Sequence, residues 1–159
     1  MSPQIFFAKL SWILLIIILI ARPLNDIYKN KLLLFVLRYR KQLGVICGLS
    51  AFLHVIIFLV NARGLKDFFV NSLYWRFDNF FGWGSLALIL IILPLITSNN
   101  FSIKLLKNNW KRIQRLSYLV LIMTAVHVAL VKNDFIIGLW PVALWLVIWL
   151  VAYFKKKQV

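Results

Sequence analysis

The sequence predicts an all-α, polytopic membrane bundle of about five transmembrane helices. Three observations carry this reading. The 159 residues are 63% hydrophobic, with a mean hydropathy of +0.88; a soluble domain is nearer about half apolar. The apolar residues fall into five long runs, with the basic residues gathered between them. Long unbroken runs exclude a β-barrel, the other structure that satisfies its backbone in lipid. No stretch outside the runs exceeds about twenty residues, so residues 1–159 read as a single bundle whose core is the helices themselves.

The runs cover about residues 5–21, 43–60, 80–97, 116–131 and 135–154. Each is long enough to span a hydrocarbon core ~30 Å thick, the fourth with least to spare. The first reads as a retained helix rather than a signal peptide. Its positive charge, Lys9, lies inside the apolar run, and Ala21-Arg22-Pro23 is a poor cleavage site.

Charge sets the topology. The connection 22–41 carries six Lys/Arg and one Asp. The connection before the fourth span, through Arg115, carries five and no acid. The tail adds Lys155, Lys156 and Lys157, for fourteen positive charges on one side. The other side holds Lys9, Arg63, Lys66, Arg76 and Lys132, with Asp67, Asp78 and Asp134 among them. The positive-inside rule then puts the N-terminus outside and the C-terminus in the cytoplasm, as for a multi-pass protein of the inner (cytoplasmic) membrane. A net charge of +15 would suggest nucleic acid in a soluble chain. Here its placement between apolar runs explains it by topology and contact with membrane lipid, with no nucleic-acid partner.

The single cysteine, Cys47, reads as a structural thiol. The chain has two histidines, His54 and His127, each deep in an apolar run. Each lies twelve residues beyond the edge of a basic cluster, at Gln42 and at Arg115. Both spans enter from the same side, so both imidazoles are expected about 18 Å in, near the middle of the membrane. A histidine in a membrane span is a functional hypothesis by default. Its bland alternative is a hydrogen bond between helices.

Two histidines cannot complete a tetrahedral zinc site, and no acid or second cysteine lies at their depth. A porphyrin supplies four nitrogens and needs only two axial ligands, so one haem b fits what is available. No Cys-x-x-Cys-His occurs, which excludes covalent attachment. With both axial positions filled, electron transfer is expected rather than oxygen activation. Gly44, Gly48 and Ala51 form a stripe beside the His54 face, as room for a macrocycle or as a small-residue packing face. Lys132, Arg63 and Arg76 share one side with the histidines and are candidates for haem propionates, or solvated charges. Arg115 belongs to a basic cluster on the other side that suits lipid, a quinone site or a flavin phosphate such as FMN. No Gly-x-Gly-x-x-Gly, Walker loop or hydrolase set is present, so the electrons come from another protein or from quinol.

Two blocks carry a family resemblance. Arg40-Lys41-Gln42-Leu43-Gly44 through Phe52-Leu53-His54 is the first. Pro94-Leu95-Ile96-Thr97-Ser98, then Trp110, Arg115-Leu116, Tyr118, His127 and Lys132, is the second. Over about residues 10–153 the chain resembles the haem-binding membrane subunit of the periplasmic methionine sulfoxide reductase system, within the ferric reductase-like transmembrane group. Arg22-Pro23-Leu24 looks like the turn after an earlier family helix. The resemblance implies a b-type cytochrome passing electrons from quinol or a flavin to a periplasmic reductase, with His54 and His127 at haem-ligand positions. It also implies a further histidine where this chain has Gln114, and one more N-terminal helix. The competing expectation is a haem-free structural or assembly subunit; a small transporter has less support, with no acid in the spans.

Overall fold

The structure is a computed structural model describing residues 2–62 and 64–157, with all their side chains except that of Leu65. Five helices occupy the five expected spans: α1 Pro3–Ile27, α3 Arg40–Ala62, α5 Phe80–Ile96, α8 Leu116–Lys132 and α9 Phe135–Lys157. Short helices join them: α2 Lys31–Arg38, α4 Leu65–Val70, α6 Asn100–Leu106 and α7 Asn108–Gln114, with a 3-10 turn at Ser72–Trp75. No strand occurs among the described residues. Helices α1, α3, α8 and α9 are long and apolar enough to cross a membrane, α8 when taken together with α7. At 17 residues α5 is about 26 Å long, and α6 continues it after a bend of 88°. The chain is a multi-pass membrane protein with an all-α fold.

The helix ends follow local chemistry. Asn30, Asn79 and Asn99 cap α2, α5 and α6, their side chains accepting from Leu32, Phe81 and Ser102 at 2.8 Å. Asn133 turns the chain with φ 50°, and Asp134 then accepts from Ile136 and Ile137 to start α9. The expected turn at Arg22-Pro23-Leu24 is a correction: all three lie inside α1. Pro23 removes one backbone donor near the helix end, and the helix continues through Ile27. There the Lys155 ammonium donates to the Ile27 carbonyl at 2.8 Å.

The long helices form a ring in which α3 packs on α1, α1 on α9, α9 on α8 and α8 on α5, while α5 returns to α3. Its centre is Leu15, Ile18 and Leu19 of α1, Cys47 of α3, Ile91 of α5, and Val120 and Leu121 of α8. Apolar residues turned outward, such as Ile13, Leu49, Ile89 and Val147, are exposed and face hydrocarbon in a membrane. Lipid removes the hydrophobic drive between helices, so close packing must hold them together. Gly138 of α9 provides it by lying directly on Ala129 of α8, where a Cβ would run into the Ala129 backbone.

Candidate functional site

His54 and His127 are each held by another helix. His54 Nδ1 lies 3.1 Å from the Gln4 carbonyl in the first turn of α1. His127 Nδ1 lies 2.7 Å from the carbonyl of Phe80, the first residue of α5. A carbonyl oxygen only accepts, so Nδ1 is the protonated nitrogen in both rings. In the neutral imidazole that leaves Nε2 with its lone pair. Neither Nε2 has a hydrogen-bond partner among the described residues. A ligating histidine is ordinarily oriented in this way, by a carbonyl on the nitrogen that does not bind the metal.

The backbones of the helices bearing the two histidines stay apart. No Cα of α3 comes within 8 Å of one in α8, although each packs on both α1 and α5. The two imidazoles lie toward the same end of the bundle. They share a level, because α1 and α5 both begin at that end of the bundle and α3 and α8 both finish there. His54 is eight residues from the end of α3 and His127 five from the end of α8. Arg40 and Lys41 of the first basic cluster form the first turn of α3.

The walls at this end are aromatic. The Phe80 ring meets His127 edge-on at 5.9 Å. Phe58 of α3, Phe81 of α5 and the buried Tyr74 of the 3-10 turn pack together, with Phe68 beside Tyr74. Gly84 of α5 lies against the His127 ring: a Cβ there would come within 2.8 Å of Nδ1 and 3.0 Å of Cε1. Sequence reasoning missed Gly84. Its only signal was Gly82-Trp83-Gly84 opening an apolar run, which does not reveal what faces it.

The other expected residues scatter. Gly48 is buried under the Leu95 side chain of α5, whose Cδ1 would lie 2.8 Å from an added Cβ. Ala51 is half-buried on α3, one turn before His54. Lys132 is exposed at the end of α8. Arg76 is exposed and pairs with Asp78. That bond raises the Arg76 guanidinium and lowers the Asp78 carboxyl from their ordinary ranges. Arg63 lies outside the described residues. Arg115 is at the opposite end of the bundle, on the rim of a cavity of about 830 Å³.

That cavity is floored by Leu15, Leu19, Ile91 and Val120, and Gly44 and Cys47 also line it. The Cys47 thiol donates to the Ser11 carbonyl at 3.3 Å, as a structural thiol does. Gln114 has a definite task here. Its amide donates to the Pro94 carbonyl at 3.1 Å and to the Thr97 hydroxyl at 3.3 Å. Trp110 adds an indole bond to the Thr97 carbonyl at 2.9 Å. Together they fasten α7 to the end of α5, whose last carbonyls have no partner within the helix.

The family described as ferric reductase like transmembrane component matches residues 5–125, which include His54 and stop two residues before His127. The protein-methionine-sulfoxide reductase heme-binding subunit MsrQ of Agrobacterium fabrum is 31% identical over 117 residues, covering 73% of this chain and 52% of the relative. The subunit of the same name from Brucella ovis is 31% identical over 114 residues, 71% of this chain and 49% of the relative. The chain thus spans about half the length of these relatives. No solved structure matches it significantly.

Proposed function

This chain belongs to the family of ferric reductase-like transmembrane components, and we propose that it is a b-type cytochrome subunit with one haem b between His54 and His127. One observation carries the proposal. Both imidazoles donate through Nδ1 to a backbone carbonyl, of Gln4 and of Phe80, and so turn an unprotonated Nε2 to ligation. The fit is sound on other grounds. Helices α3 and α8 stand apart while sharing neighbours, and Gly84, lacking a Cβ, lets α5 come up against the His127 ring without displacing it. A bound haem would supply a one-electron carrier. The residues of this chain would hold and orient it: Gln4 and Phe80 fix the two rings, and Phe58, Tyr74 and Phe81 would form an apolar wall at that end.

The physiological reading follows the relatives, whose name makes them heme-binding subunits of a protein-methionine-sulfoxide reductase. We assign this chain the transfer of electrons from quinol or a flavin, across the inner membrane, to a periplasmic reductase of that kind. The N-terminus lies outside and the C-terminus in the cytoplasm, with the cations of the tail and of the connections 22–41 and 98–115 inside. Lys132, one to two turns beyond His127, would be in reach of a haem propionate.

A haem-free structural subunit is the second reading, and the same two hydrogen bonds favour it, since they join α3 to α1 and α8 to α5. Optical spectra separate the two. Purified protein from haem-replete cells should show low-spin haem bands; colourless protein supports the haem-free reading.

A further inference from the structure

We propose that the cavity at the basic end of the bundle is a binding site for an anionic phospholipid, its phosphate at a cationic mouth and its chains against the apolar floor. The cavity, of about 830 Å³, is lined by cations from five helices and one junction: Arg22 of α1, Arg38 of α2, Lys41 of α3, Lys111 of α7, Lys156 of α9, and Arg115 between α7 and α8. Arg40 adds a seventh. Among the described residues, no carboxylate lines it. Among the described residues only Arg22 of these has a carboxylate within 4 Å, that of Asp26 at 3.6 Å. Cations gathered this way around one opening call for an anion. The floor of Leu15, Ile18, Leu19, Ile91 and Val120 calls for an apolar body attached to it. Metal ligation is not the chemistry on offer, because no histidine lines the cavity and the Cys47 thiol is engaged with Ser11.

The level of the mouth is fixed independently. Helix α6 bends 88° away from α5 with Phe101 and Leu105 exposed, and Lys41 reaches its first residue, Asn100, at 2.8 Å. Helix α2 exposes Leu32, Leu34 and Phe35 and ends at Arg38 on the cavity rim. Short helices with exposed apolar side chains beside basic ones lodge at the boundary between headgroups and acyl chains. The mouth therefore lies where phospholipid phosphates lie, which favours a lipid over a soluble anion.

Native mass spectrometry of the full purified chain tests this, with phosphatidylglycerol and phosphatidylcholine of matched chains as probes. Phosphatidylglycerol is expected to stay bound under activation that strips phosphatidylcholine. Lys111→Gln with Arg115→Gln should weaken its retention roughly tenfold, as should Arg22→Gln with Lys156→Gln on two other helices. Lys104→Gln with Lys107→Gln, at the same end but off the cavity, should retain it. Circular dichroism confirms that each variant is helical, and the comparison of the two lipids on the unaltered chain needs no variant. Equal retention of the two lipids, equal loss in the off-cavity variant, or full retention in both cavity variants overturns the proposal. Displacement of the lipid by micromolar flavin mononucleotide also overturns it, by making the occupant a soluble phosphate ester.

Discussion

Gly84 of α5 lies against the imidazole of His127, so close that a single methyl group there would come within 2.8 Å of Nδ1. The ring has little room to retreat, since the same Nδ1 is bonded to Phe80 at 2.7 Å on the same helix. Gly84→Ala must therefore tilt the ring or break that bond. We expect haem content per chain to fall several-fold in Gly84→Ala, with helicity unchanged by circular dichroism. Substitution at Gly44, where an added Cβ meets nothing within 4 Å, should leave haem content as it was.

The close approach of α8 and α9 makes a different prediction. Gly138→Leu gains about 1 kcal/mol of helix propensity. Against this, its Cβ meets the backbone of the fully buried Ala129, and overpacking of this kind costs about 1–3 kcal/mol. The steric term wins because backbone, unlike a side-chain tip, yields only if the helices part. The variant should melt at lower temperature in detergent than the unaltered chain.

Five spans were legible in the sequence because an apolar run of membrane length admits one structure. Helix α3, expected over 43–60, runs Arg40–Ala62, and α9, expected over 135–154, runs Phe135–Lys157; polar residues extend a helix past the hydrocarbon without altering its core. The short helices were not legible, since α4, α6 and α7 have six or seven residues each and too few turns for a periodic pattern. The site was legible in its residue types and not in its surroundings. A histidine inside an apolar run announces itself, but Gln4, Phe80 and Gly84 matter through contacts across 43 to 50 residues of sequence.

Gln114 occupies the position where the resemblance implied a histidine, and it acts as a fastener between α7 and α5. Gln114→Ala removes two donors, while the Pro94 carbonyl keeps the Ser98 hydroxyl at 2.6 Å. We expect a loss of about 1 kcal/mol in stability and unchanged haem content. Gln114→His should not raise the haem stoichiometry, because His54 and His127 are the only histidines in the chain and both sit at the other end of the bundle.

The charge count makes a prediction about orientation. Fourteen of the 19 Lys/Arg fall in the connections 22–41 and 98–115 and the tail, which places the C-terminus in the cytoplasm. A fluorescent protein fused after Val159 should fluoresce, and alkaline phosphatase fused there should be inactive. The opposite pair of results would reverse the assignment.

The central claim is that His54 and His127 together hold one haem. Reduced-minus-oxidised difference spectra of the full chain from haem-replete cells, recorded beside His54→Ala and His127→Ala, test it most directly. The unaltered chain should show sharp low-spin b-type bands, and each variant should lose them together with most of its bound haem. Colourless unaltered protein, or haem retained equally in both variants, would contradict the claim.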